Sequence, residues 1–142
     1  MSEPGRKGGW LAFWSRPNRV YVNDRHRRVH YARLADDVLS VLPGCGAVVL
    51  DFGCGEALEA DRVAARCTRF YLCEAAEPVR AALAARFAGH PVIRVIDGDG
   101  LAGLPDGHLD LIVVSSVLQY LSVNELRRLL RLWRVKLSET GL

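Results

Sequence analysis

Two glycines and a set of carboxylates are the residues whose types and spacing could do chemistry. In VVLDFGCGEALEAD, residues 48–61, an apolar run ends in Asp51 and passes into Gly53-Cys54-Gly55-Glu56-Ala57. A Gly-x-Gly pair lets the backbone turn tightly and approach a ligand closely. Turns of this kind that open a helix usually receive phosphate, because free N–H groups and the helix dipole favour negative charge there. Here Asp51 and Glu56 flank the glycines, and two carboxylates repel a pyrophosphate. Leu58 stands where a dinucleotide turn has its third glycine, and no Gly-Lys-Ser/Thr follows, so a P-loop is excluded. The turn suits a ligand that carries an ammonium group and no phosphate.

Other polar residues fall at regular intervals downstream. Glu74, in YLCEAAEPVRAAL, lies about 20 residues past the turn, the spacing of a ribose-binding acid. A carboxylate can accept from two adjacent hydroxyls at once, and this fits a nicotinamide site as well as any other nucleoside. Asp99 in DGDGL is a third acid, with Asp97 competing for the same role, and Ser115 and Ser116 follow a fourth apolar run. His26 and His30 stand at i, i+4 among arginines with no third ligand at usable spacing, so no metal site is expected. Cys45, Cys54, Cys67 and Cys73 form no Cys-x-x-Cys pair and read as reduced thiols.

These residues need a scaffold that brings strand ends together. Residues 1–20 carry Gly and Pro punctuation and read as an irregular lead-in, tethered by Trp10, Phe13 and Trp14. From Asn23 or Asp24, both good caps, apolar residues from Val29 to Leu42 recur at helical spacing until Pro43-Gly44. AVVLDF is a strand without polar alternation, as burial on both faces requires. ALEADRVAARC reads as a helix, RFYLCE as a strand, EPVRAALAARFA as a helix with Pro in its first turn, and PVIRVI as a strand. The polar loop DGDGLAGLPDGH leads to a fourth strand, LDLIVVSS. The last helix opens with Ser122 and Glu125 at capping-box spacing, buries Leu126, Leu129, Leu130 and Trp133 on one face, and closes on Gly141. Alternating strands and helices imply an α/β three-layer sandwich around a mainly parallel sheet with right-handed crossovers. Ligands of such sheets sit outside the carboxyl ends of the strands, where Asp51, Glu74, Asp99 and Ser115 all fall.

Asp51-Phe-Gly53-Cys-Gly55-Glu-Ala57 resembles the first motif of class I S-adenosylmethionine-dependent methyltransferases, an acid followed by Gly-x-Gly-x-Gly, with Ala57 at the third glycine. The resemblance runs from about residue 30 to 142 and implies a Rossmann-like sheet of strand order 3-2-1-4 over residues 21–142, here C-terminally incomplete. It implies S-adenosylmethionine as cofactor, held by Asp51, Gly53, Cys54, Gly55, Glu56, Ala57, Glu74, Ala75, Asp99, Gly100 and Ser115. In it Glu74 takes the ribose hydroxyls, Asp99 the adenine amino group, and Ser115 and Ser116 lie near the methionine end. The transfer is a direct displacement, so no catalytic residue is implied; Tyr21, Asn23, His30, Tyr31 and Tyr120 are the acceptor-side candidates. The competing readings are a non-catalytic S-adenosylmethionine-binding fragment and a nicotinamide-dependent oxidoreductase, the latter disfavoured by Asp51 and Leu58.

Charge and composition bound the partners. The net charge of +3 is uneven: residues 1–35 hold eight Arg or Lys against Glu3 and Asp24, while the remainder is net negative. A basic arm can meet nucleic acid or an anionic substrate, or be a solvated helix face. SSVLQYL lacks the Asn/Asp-Pro-Pro-Tyr/Phe motif of many methyltransferases acting on adenine or glutamine nitrogens, so a small-molecule acceptor is expected ahead of nucleic acid. No apolar run has the length of a membrane span or a signal peptide, which makes a cytoplasmic location the expectation. SETGL reads as the lead into a further strand, so either a missing C-terminal segment or another copy of the chain is expected to cover that sheet edge.

Overall fold

The computed structural model describes residues 9–17 and 20–142. Of the basic N-terminal stretch, Arg6, Lys7 and Arg19 lie outside the described residues. Four strands, β1 (Ala47–Phe52), β2 (Cys67–Cys73), β3 (Ile93–Ile96) and β4 (Leu111–Val114), form one all-parallel sheet of order β3-β2-β1-β4. This is the 3-2-1-4 order expected from the sequence, with helices on both faces.

The apolar runs of the central strands follow from that layering. Ala47 and Val49 of β1, with Phe70 and Leu72 of β2, point into a core shared with α2 (Asp24–Val41), α3 (Ala60–Ala64) and α4 (Glu77–Arg86). Leu50 and Cys73 point the other way, onto Leu101 of α5 (Gly98–Ala102) and Trp133 of α6 (Val123–Lys136). The central strand β1 thus buries both of its faces and does not alternate with polar residues, whereas the edge strand β3 exposes Arg94. Register lines up the strand ends: Phe52 pairs with Cys73 and Val114, and Cys73 pairs with Ile96. The next residues, Gly53, Glu74, Asp97 and Ser115, therefore emerge side by side along one edge.

Helix boundaries follow local chemistry. Asn23 caps α2 by accepting from the His26 N–H at 2.8 Å. Ser122 and Glu125 form the expected capping box at the start of α6. That helix stops at Lys136 rather than Gly141, because the chain turns back to pair Leu137 with Leu109. Leu130 on its flank is exposed, so the apolar face is narrower than its sequence pattern suggested. Residues 57–67 were expected to form one long helix, but α3 spans only Ala60–Ala64: Ala57 takes a left-handed φ of 45° that no α-helix continues through. The polar loop after β3 instead holds α5, nucleated by the Asp97 side chain accepting from Gly100 N–H at 2.8 Å. The lead-in holds a further short helix, α1 (Gly9–Trp14), whose Trp14 packs edge-on against Tyr120 with ring centroids 5.9 Å apart.

Beside β4, Leu142 donates its N–H to Asp110 O at 3.0 Å and accepts from Ile112 N–H at 2.8 Å. These are the hydrogen bonds of a parallel neighbour, on the sheet edge that the sequence left bare. Among the described residues, no helix is long and apolar enough to cross a membrane.

Candidate cofactor site at the carboxyl ends of the strands

The glycine turn is held from beneath by β2. Gly53 N–H and Cys54 N–H both donate to Cys73 O, at 2.8 and 3.3 Å. Gly53 has a φ of 72°, and a Cβ there would stand 2.4 Å from a methyl of Val117, so the loop after β4 closes directly over it. Gly55 has a φ of 58°, and its hypothetical Cβ would lie 2.8 Å from Tyr31 Oη. Both glycines are thus required twice, by backbone conformation and by close approach. Ala57, the departure from glycine, is buried with a methyl in the core and holds a left-handed φ without glycine's freedom.

Two carboxylates meet at this turn. Glu74, at the end of β2, is 8% exposed and accepts from Gly55 N–H at 3.0 Å with one oxygen and from Ala76 N–H at 2.8 Å with the other. Each oxygen retains a lone pair, so the group can still accept from two neighbouring hydroxyls. Asp51 is likewise 8% exposed, yet among the described residues no hydrogen bond or ion pair reaches its carboxylate. Burial, and then the charge of Glu74, pushes the Asp51 carboxyl up to about 7. An unpartnered buried acid beside a second acid carries an electrostatic cost that a neighbouring positive charge would relieve.

The remaining polar positions spread from that centre. Asp97 is committed to capping α5, and its Gly100 N–H bond holds it below the usual carboxylate range. Asp99, two residues on, is exposed at the strand-end edge, leaving it the freer of the two acids. Gly100 packs closely on Ile96, and Ala75 is exposed with its carbonyl accepting from Arg80 at 3.0 Å. Ser115 is half-buried, and Ser116 has a φ of 57°, a strained conformation at the sheet edge where ligands bind. Cys54 and Cys73 are free and buried; desolvation and the neighbouring carboxylates hold both thiols protonated, that of Cys73 at about 12.

Of the acceptor-side candidates, Tyr21, His30 and Tyr31 share one aromatic cluster, Tyr21 lying 5.5 Å from His30 and 6.1 Å from Tyr31 between ring centroids. Asn23 is spent on the α2 cap. Tyr120 is exposed on the turn after β4, against Trp14. His26 is engaged locally, its Nδ1 accepting from Val22 N–H at 3.2 Å. Sequence reasoning missed Arg27 and Arg86, which bind Glu56 from two different helices, and Val117 over Gly53. These contacts are set by tertiary packing and leave no periodic or motif signal.

The sequence matches the methyltransferase domain family over residues 50–142, more than half of the chain. The chain therefore belongs to that family, within the class I S-adenosylmethionine-dependent methyltransferases, whose cofactor is S-adenosylmethionine. Similar solved structures include phosphoethanolamine N-methyltransferase 1 of Haemonchus contortus, in complex with phosphoethanolamine and S-adenosylhomocysteine, at TM-score 0.70 and 21% identity, covering 91% of this chain and 28% of that one. A methyltransferase of Leishmania major matches at TM-score 0.67 and 20% identity, covering 94% of this chain and 57% of that one. One from Archaeoglobus fulgidus matches at TM-score 0.62 and 25% identity, covering 81% and 50%. The chain thus spans between 28% and 57% of the length of these three proteins. Comparison with curated proteins finds no match.

Proposed function

We propose that this chain binds S-adenosylmethionine at the glycine turn and directs its methyl group to a small-molecule acceptor. One observation carries the reading: Asp51 is a buried acid without a partner, beside a Glu74 carboxylate that still has lone pairs to offer. A phosphate ligand is repelled by that pair, whereas an amino-acid ammonium neutralises it and a ribose diol satisfies Glu74.

S-adenosylmethionine supplies a methyl on a sulfonium, a leaving group that needs no protein acid. The protein's part is to orient and to exclude water. Asp51 receives the ammonium, Glu74 the ribose hydroxyls and Asp99 the adenine amino group, while Gly53, Gly55 and Ala57 keep the floor of the site low enough for close approach. Cys54, Glu56, Ala75, Gly100 and Ser115 complete the surround. Tyr21, His30 and Tyr120 stand on the acceptor side. The Haemonchus contortus relative is named for phosphoethanolamine, which supports a small polar acceptor here.

Calorimetry with S-adenosylhomocysteine and with NADH tests the cofactor reading. The first is expected to bind and the second not; binding of NADH alone, or of neither, overturns it. Methyl-labelled S-adenosylmethionine offered with fractionated extract tests the transfer. Label is expected in the small-molecule fraction, and label in nucleic acid or nowhere selects against the acceptor proposed.

A further inference from the structure

The peptide leaving the glycine turn is gripped by side chains from two helices. From α2, Tyr31 Oη accepts from Glu56 N–H at 3.0 Å, and Arg27 donates to both Glu56 carboxylate oxygens at 3.1 and 3.2 Å. From α4, Arg86 donates to Glu56 O at 3.0 Å and to Leu58 O at 3.1 Å. The arginine contacts are solvent-exposed and screened. Tyr31 differs, being only 7% exposed, so no solvent substitutes for its oxygen at Glu56 N–H.

The same oxygen presses on the residue before. A Cβ on Gly55 would meet Tyr31 Oη at 2.8 Å, so the phenol is seated against the Gly55 Cα while holding the N–H of the next residue. The Gly55 N–H in turn donates to Glu74 at 3.0 Å. A continuous path therefore runs from Tyr31 through the Gly55–Glu56 peptide and the Gly55 Cα to the Gly55 N–H of the preceding peptide, and so to the carboxylate that faces the cofactor. Burial and the neighbouring Tyr21 hydroxyl raise the Tyr31 phenol far above its ordinary value, which keeps it neutral at working pH.

We infer that Tyr31 is a positioning residue of the cofactor site, fixing the Gly55–Glu56 peptide and through it the Glu74 carboxylate, rather than a residue that meets the acceptor. The inference rests on the reading that Glu74 takes the cofactor's ribose hydroxyls. It predicts coupling between two side chains that share no hydrogen bond.

A double-mutant cycle on the full chain tests it, with S-adenosylhomocysteine affinity by calorimetry as the readout. Tyr31→Phe is expected to weaken binding about tenfold, the equivalent of about 1.4 kcal/mol. In a Glu74→Ala background the same change is expected to cost less than about twofold, because the carboxylate it serves is gone. A merely structural Tyr31 gives equal losses in both backgrounds, and that result, or an unchanged affinity in Tyr31→Phe, overturns the inference. If Tyr31→Phe shows no cooperative thermal transition, 3-fluorotyrosine placed at position 31 keeps ring and hydroxyl but weakens the oxygen as an acceptor. A loss of about threefold that vanishes in Glu74→Ala then supports the assignment, and no loss overturns it. Failure of the unmodified chain to bind S-adenosylhomocysteine sinks the cofactor reading and this inference together. Binding with an additive cycle sinks this inference alone.

Discussion

At Asp51 the proposed cofactor binding and the stability of the fold pull against each other. Its carboxyl titrates near 3.8 when exposed and at about 7 in the folded chain. Between those values the folded state holds a proton that the unfolded state has released, so stability falls as pH rises from about 4 to about 7 and then levels. Asp51→Asn removes the titrating group without changing its shape. The variant is expected to be more stable than the parent at pH 8, by about 1–3 kcal/mol in urea unfolding, with the difference shrinking towards pH 4. Its affinity for S-adenosylhomocysteine should fall by about 1–3 kcal/mol, since the ammonium loses its counter-charge. Equal stability of the two proteins at pH 8 would show that the acid is not strained. Gly53 makes a second test at this scale: Gly53→Ala sets a Cβ 2.4 Å from Val117 at a φ of 72°. A loss of about 2–4 kcal/mol is expected, and adding Val117→Ala should return the steric part while the backbone part remains.

At the scale of elements, what was legible in the sequence and what was not divide by the range of the interactions. β1, β2 and the caps of α2 and α6 were readable because apolar runs, Asn23 and the Ser122/Glu125 spacing act within a few residues of themselves. The strand-end acids were readable for the same reason, since a parallel sheet places whatever follows a strand at its carboxyl edge. The short α3 was not, because its cause is a left-handed Ala57 whose methyl is buried, a compromise invisible to helical periodicity. Nor was the anchoring of α6. Lys136, the last residue of α6, is only 6% exposed and donates to Leu104 O at 2.6 Å and to Asp106 at 2.8 Å. Those partners are about 30 residues away, a distance over which residue pattern carries no information. Lys136→Ala leaves the half-buried Leu104 without its side-chain donor and is expected to cost about 1–3 kcal/mol in denaturant unfolding. A cost within about 0.5 kcal/mol would make the contact an incidental surface pair.

For the whole molecule, the parts of the site belong to elements that only the folded sheet brings together. Asp51 comes from β1, Glu74 directly follows β2, Asp99 lies at the start of α5 and Ser115 directly follows β4. A ligand that touches all four binds the folded chain and not the unfolded one, so binding must appear as stability. With S-adenosylhomocysteine at a hundred times its Kd the gain is about 2.7 kcal/mol, which for a chain of this size is a rise in Tm of roughly 10 °C. NADH at the same concentration is expected to give none, because its pyrophosphate is repelled by Asp51 and Glu74. The rise should be greater at pH 8 than at pH 5.5, where Asp51 is protonated in the ligand-free protein and a proton must be released on binding. Asp51→Asn should flatten that pH dependence while retaining a smaller rise. A thermal scan in which S-adenosylhomocysteine at saturating concentration leaves Tm unchanged would mean that these four strand ends, though adjacent, do not form one site.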